Sequence, residues 1–115
     1  MREFFTDLIV LLSPLCPTFL QLPPKVPYPH ITVEDITSLC GLPAGPTLLS
    51  FSLKIWSQYA GTKEILKTLH EVEAIIGTYQ KARMKVMKSF LTVLSDGKTR
   101  VHTLHLKARV PHERD

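Results

Sequence analysis

The side chains that could do chemistry in this 115-residue chain are five histidines, two cysteines and a few neighbouring carboxylates. His70 and Glu73 stand three residues apart, a spacing that brings two metal ligands together on one helix face, but a stable site needs a third ligand. Cys40 falls at the C-terminus of a predicted short helix, where the helix dipole disfavours a reactive thiolate. No nucleophile, base and oxyanion donor come together in the sequence. We therefore expect no enzyme activity, no metal and no cofactor.

The number of cysteines and the N-terminal segment indicate the cellular compartment. Cys16 and Cys40 are too few for a disulfide framework. The apolar N-terminal run lacks the basic leader of a secretory signal, since Glu3 and Asp7 precede it, and Pro14 interrupts it well short of the about 20 apolar residues that cross a membrane. We expect an intracellular protein, nuclear or cytoplasmic, with no membrane span. The alternative is a small secreted protein with a Cys16–Cys40 disulfide.

Positive charge is concentrated in the second half of the chain. The net charge is +4, and residues 61–115 hold eleven of the 14 basic side chains but only six of the 10 acidic ones. Such a bias indicates either contact with an anionic surface or a solvated basic face. The candidate contacts to an anionic ligand are Lys81, Lys85, Lys88, Lys107, Arg109 and Trp56.

The N-terminal segment predicts a short apolar helix over residues 3–13, ending before Pro14 because proline disfavours helix at the preceding residue. Its apolar face either packs on the protein's own core or docks into a partner. For the second role, the candidate partner-binding residues are Phe4, Phe5, Leu8, Ile9 and Leu12. A proline-rich segment follows, which predicts an extended connector that ends near residue 30.

Two further helices are predicted by capping and periodicity. Thr32 followed by Glu34 and Asp35 is typical of a helix N-terminus, and this short helix would stop at Gly41. A second, long helix begins at Thr62, and its apolar stripe continues at steps of three or four residues to Phe90. Arg83 falls at the centre of that stripe. A break near Gly77 explains this position better than a buried arginine without a partner.

Two strands and a hairpin complete the pattern. Residues 49–56 alternate between apolar and polar, as do residues 99–110. Asp96-Gly97 predicts a type I′ turn that pairs Leu94 with Thr99. Because residues 99–110 are long and need two neighbours, we expect them at the centre of the sheet. Those neighbours would be residues 49–56 and a short strand over residues 91–94, both antiparallel to the central strand.

These elements predict an α+β fold. It consists of a three-stranded β-α-β-β sheet covered on one face by the long helix and preceded by one or two short helices and the proline-rich segment. The predicted divisions are 1–30 for the N-terminal helix and connector, 31–110 for the α+β domain and 111–115 for a tail. In this arrangement the basic charge divides between the helix's outer face and the sheet's open face.

The function expected from the sequence is a non-enzymatic protein-interaction module, a subunit of a larger assembly. A protein partner is favoured because the apolar N-terminal helix sits on a stiff spacer and the uncovered sheet face is only half polar. A nucleic-acid-binding module that uses the basic side chains is the alternative, supported by a net charge of +7 between Lys81 and Arg109.

Overall fold

The computed structural model describes residues 2–40, 46–59 and 62–111. These residues form a single five-stranded sheet with two helices. In chain order the elements are α1 (Arg2–Leu12), β1 (Thr18–Phe19), β2 (His30–Cys40), β3 (Thr47–Ser57), α2 (Lys63–Thr78), β4 (Arg83–Val93) and β5 (Arg100–Val110).

The sheet is mixed, and its strand order is β1-β2-β3-β5-β4. β1 runs parallel to β2, and the other three pairs of neighbours are antiparallel. The predicted three-stranded sheet under one long helix is therefore wrong, because β1 and β2 extend the sheet and the helix is much shorter. The prediction that β5 lies between two antiparallel neighbours is confirmed.

β2 occupies the segment for which the sequence predicted a short helix. Its alternation is broken between Glu34 and Thr37, where a bulge shifts the register against β3. Asp35 at this bulge has a positive φ of 55°. An extra residue in the strand disrupts the period of two, so Thr32 to Asp35 mimics a helix cap in sequence although the backbone is extended.

α2 ends at Thr78 instead of continuing to Phe90. The break expected near Gly77 is confirmed, and the residues beyond it form β4. Arg83 thus leaves the apolar helix stripe altogether and starts a strand, where its side chain is exposed. A Cβ at Gly77 would meet no atom within 4 Å, so sterics do not require glycine here.

Both helices pack on one face of the sheet and share one hydrophobic core with it. The rings of Phe4 and Phe5 contact Phe51 of β3, with centroids 5.8 and 5.2 Å apart. From α2, four residues on one stripe are buried: Ile65, Leu69, Val72 and Ile76. Alternating apolar residues of β3 and β5 are buried in the same core, namely Leu49, Phe51, Leu53, Leu104 and Leu106.

The hairpin between β4 and β5 has the predicted pairing with a different turn. The Leu94 N–H donates to the Thr99 carbonyl at 2.9 Å, and the Gly97 N–H donates to the Leu94 carbonyl at 3.0 Å. A type I′ turn needs positive φ at two successive residues, whereas in this turn only Gly97 has it, at 72°. The Asp96 carboxylate instead accepts from the backbone N–H groups of Lys98 and Thr99.

Candidate functional site

The two edges of the sheet differ, and the exposed one is β4. Among the residues that the structure describes, β4 has β5 on one side and no neighbouring strand on the other. Because Leu94 donates to Thr99 and antiparallel ladder bonds alternate, Leu91 and Val93 point their N–H groups away from β5. Alternate residues of this eleven-residue strand thus have backbone N–H and C=O groups available for pairing with another chain.

Large apolar side chains are exposed along this edge. Phe90 is 42% exposed and Val93 is 51% exposed, although both belong to residue types that are usually buried. Five residues make up this group, which we call the apolar edge: Met87, Phe90, Leu91, Val93 and Leu94. Its members lie on both faces of β4, since Phe90 pairs with Thr103 and Leu91 pairs with His102.

Sequence reasoning missed the apolar edge because it placed these residues on or just after the long helix. The available signal was the β-branched and aromatic run from Phe90 to Val93, which favours strand. A second bulge, between Val86 and Lys88, shifts the phase of β4 and conceals its alternation.

The register of β4 and β5 places like charges directly opposite one another. Arg83 pairs with Arg109 and Lys85 pairs with Lys107, and Lys88 follows on the same face. All five side chains are exposed on the sheet face away from the helices, which we call the open face. Cβ atoms of directly opposite residues are about 4.5–5.5 Å apart, so both pairs are repulsive. We call these five residues the basic ladder.

The basic ladder corrects the sequence-based placement of charge. Lys85 and Lys88 were expected on a helix, away from Lys107 and Arg109, but the structure brings all four to one side of one sheet. In the described ranges, none of the five ladder residues forms an ion pair with a carboxylate. One flat ligand can therefore contact the whole group.

Two candidate contacts lie outside the ladder. Lys81 precedes β4 and pairs with Asp7 of α1 at 3.2 Å, a contact that raises the pKa of Lys81. Trp56 lies at the opposite end of β3, paired with Val101. Its indole stacks on His30 with centroids 5.9 Å apart. A tryptophan engaged in this way serves the fold and is not a free stacking platform.

Polar side chains satisfy one another on the β2–β3 half of the open face. The Trp56 indole N–H donates to Thr32 Oγ1 at 2.9 Å, and the Thr32 hydroxyl donates to Glu34 at 2.5 Å. Lys54 reaches the same carboxylate at 3.4 Å. The contrast with the ladder is clear, because the one lysine on this half has a carboxylate partner.

Most of the candidate partner-binding residues of α1 lie inside the protein. Phe4, Phe5, Leu8 and Leu12 are at most 4% exposed, and Ile9 is half-buried. Docking through this face would require α1 to leave the core. The partner-binding role of these residues stays a prediction, and the contacts described above assign them to packing.

Three buried titratable groups have shifted pKa values without forming a reactive centre. Burial raises the pKa of the Cys16 thiol to about 11, and Glu64 and Glu71 add to that rise. Burial also lowers the pKa of His30 and of His102. Cys16 is a free thiol, and the side chain of Cys40, its partner in the disulfide of the secreted alternative, lies outside the described residues.

Other kinds of site find little support among residues 2–40, 46–59 and 62–111. Within these ranges, no three His, Cys, Asp or Glu side chains converge to hold a metal ion. No helix there is both long and apolar enough to span a membrane. A groove of about 760 Å³ lies where the end of α2 meets the sheet, lined by Ile76, Tyr79, Ala82 and Met84 together with four members of the basic ladder.

Comparisons with known proteins give a fold and no family. No protein-family model matches the chain, and no curated protein sequence matches it. Among solved structures, a chain in the virion of a native gene transfer agent particle is similar, with a TM-score of 0.64. The two are 15% identical, and the match covers 91% of this chain and 84% of that one. At this identity, the similarity shows a shared fold.

Proposed function

We propose that this protein is a non-enzymatic, intracellular subunit of a larger protein assembly, and that β4 is its docking edge. The observation that carries the proposal is the apolar edge, which places four large apolar side chains on an edge strand with free backbone groups and a fifth, Leu94, directly after it. Soluble proteins usually shorten, twist or cover such an edge, because it pairs readily with other chains. An exposed apolar group of this kind is typical of an interaction surface.

The structural neighbour supports the same proposal. Its fold occurs in a chain of a virion particle, which is built from many subunits. A fold alone does not fix a function, so the neighbour adds weight only because the apolar edge independently indicates assembly.

The proposal is tested by disrupting the edge and measuring the mass of the native complex. The tagged chain is purified under mild conditions from the cells that encode it, and light scattering after size exclusion gives the mass. We expect a complex well above the chain's own 13.0 kDa. The double substitution Phe90→Lys/Val93→Lys should reduce the measured mass to that of the free chain. Burying two lysine side chains in an apolar interface is costly, so the complex should dissociate.

A matched control removes exposed apolar surface elsewhere. Val10 on α1 is 65% exposed and Leu20 is 49% exposed, and neither lies near β4 in the sequence. Val10→Lys/Leu20→Lys should leave the complex intact, and circular dichroism should show both variants folded. A complex that survives the β4 variant, or a wild-type chain that stays a monomer in its own cells, would overturn the proposal.

A further inference from the structure

We infer that the partner segment docking on β4 is an extended strand in which acidic residues alternate with apolar ones. This inference rests on the proposed function, because it names the chemistry of the partner at the same edge. It follows from what β4 presents on its two faces. The open face carries the cations Arg83, Lys85 and Lys88, whereas the helix side carries Met84, Val86, Leu91 and Val93.

The position of the cations argues against a purely protective role. Lysines on an edge strand often act to prevent unwanted pairing, and that explanation covers Lys85 and Lys88. It does not cover Lys107 and Arg109, which lie on β5 inside the sheet. Repeating the charge on an interior strand adds repulsion without protecting any edge. An anionic ligand would neutralise the cations on both strands, so it accounts for the charge on β5 as well as on β4.

The spacing of the basic ladder fits a strand. Residues two apart in a strand lie about 7 Å from each other on one face. A segment added alongside β4 would point every second side chain to the open face, opposite Arg83 and Lys85 and, beyond the bulge between Val86 and Lys88, opposite Lys88. Carboxylates at these positions would pair with the cations. The intervening side chains would lie on the helix side, beside Met84 and Val86. Farther along the strand they would lie beside Leu91 and Val93, which are 40% and 51% exposed.

A second copy of β4 is a poor occupant. Residues 83–93 contain three basic residues and no acidic one. Two such strands paired edge to edge would join six cations without a carboxylate, which is unfavourable for directly apposed charges.

Nucleic acid is also less favoured. Single strands bind to surfaces that combine cations with several stacking aromatics. Here Trp56 is stacked on His30, which leaves Phe90 as the aromatic nearest the ladder on the open face. The exposed apolar side chains on the helix side of β4 have no role in binding a phosphate backbone, but they match an apolar row of a strand.

The test is a binding measurement with synthetic peptides and the full chain. The probe is a fluorescent peptide of about eight residues, the length of an ordinary strand, in which glutamate alternates with valine. One control peptide has the same composition in scrambled order, and the other has lysine in place of glutamate. We expect the alternating peptide to bind at least about tenfold more tightly than either control, because only it offers carboxylates to one face and apolar side chains to the other.

Protein variants locate the site. Lys85→Gln/Lys107→Gln should weaken binding of the alternating peptide about tenfold, as is typical when close charge pairs are removed from an interface. Lys63→Gln/Lys67→Gln removes the same charge from exposed positions on α2 and should leave binding unchanged. Hydrogen exchange should slow at the amides of Leu91 and Val93 when the peptide is bound.

Several results would overturn the inference. Equal binding of the scrambled peptide would show that charge alone attracts the peptide. Tighter binding of a single-stranded oligonucleotide of equal charge would indicate a nucleic-acid-binding site. Self-association of the chain that blocks the peptide would indicate a second copy as the occupant. If no peptide binds while Phe90→Lys/Val93→Lys still dissociates the native complex, the inference fails and the proposed function stands.

Discussion

The two edges of the sheet differ in how far they limit pairing with another chain. At one end, β1 is two residues long and pairs only with Ile31 and Thr32 of β2. The rest of β2 carries a bulge at Asp35 and the charged residue Glu34, two devices that discourage pairing with another chain. At the other end, β4 runs for eleven residues and exposes the apolar edge.

The difference indicates that the edge of β4 is left unpaired so that a partner can bind there. β4 does carry a bulge and cations, but both lie in its first half, between Arg83 and Lys88. Its second half, from Phe90 to Val93, has neither. A sheet that protects one end and leaves apolar side chains free at the other is arranged for pairing at the free end.

The largest expected effect separates the helix-covered core from the open edge. Phe51 is 1% exposed and contacts both phenylalanines of α1. Phe51→Ala should lower the free energy of unfolding by about 3–5 kcal/mol, the usual loss for a buried phenylalanine. Phe90→Ala should lower it by less than about 1 kcal/mol, because the residue is already 42% exposed. Urea unfolding of both variants measures the contrast, and equal losses would mean that β4 is covered within the chain itself.

A pH dependence should follow from a buried histidine at each end of the sheet. His30 lies on β2 and His102 lies on β5 beside β4, and burial holds the pKa of each below the ordinary 6.5. Glu73 acts in the opposite direction on His102. Between the unfolded and folded pKa values the unfolded chain binds more protons, so the free energy of unfolding falls as the pH drops below 6.5.

The substitution His102→Leu isolates the histidine beside β4. Ser89 would lose its 2.6 Å hydrogen bond to His102 Nε2, but Ser89 is exposed and can bond to water. Urea unfolding at a series of pH values should show a shallower decline for this variant than for the wild type. An unchanged slope would assign the acid sensitivity to His30 or to the carboxylates.

Repulsion within the basic ladder should appear as a small gain on neutralisation. Lys85→Gln should raise the free energy of unfolding by about 0.5 kcal/mol at low salt, since it removes one like-charge cross-strand pair. The gain should shrink at high salt, where screening already weakens the repulsion. Lys67→Gln on α2 serves as the matched control. A destabilised Lys85→Gln would show that this lysine is held by an attractive contact in the free chain.

Effects of similar, small size concern the backbone at the two ends. Asp35, at the β2 bulge, has a φ of 55°, and Gly97, in the hairpin turn, has a φ of 72°. Asp35→Gly should raise the free energy of unfolding by about 0.5 kcal/mol, because glycine adopts this backbone without strain. Gly97→Ala should lower it by about 1 kcal/mol for the converse reason. Thermal unfolding measures the change in stability for each variant. Changes of the same sign in both variants would contradict the assigned backbone geometry.

The sequence reveals those strands that keep a strict period of two. β3 and β5 alternate without interruption, and the Asp96-Gly97 pair places the hairpin, so the central register could be predicted. β2 and the first part of β4, as far as Phe90, were taken for helix, and both contain a bulge that shifts the phase of alternation. Ala82, Val86 and Phe90 then fall at helical steps by coincidence. Arg83, out of place in the apolar stripe, was the one sign that the helix ends earlier.

The candidate site could be predicted only in part, for the same reason. Lys107 and Arg109 were correctly placed together on the open face because β5 was correctly identified. Lys85 and Lys88 joined them only once β4 was known to be a strand. The apolar edge was missed because only residues 91–94 were assigned to the hairpin strand, whereas Met87 and Phe90 were placed on the long helix.

The most direct test of β4 as the docking edge is amide hydrogen exchange, measured on the isolated chain and on the native complex. The N–H groups of Leu91 and Val93 point away from β5, so they should exchange rapidly in the isolated chain. In the complex they should become strongly protected, while the amides of β1 change little. Equal exchange at β4 in the two states would contradict the account, because a partner that pairs with this edge must occupy those donors.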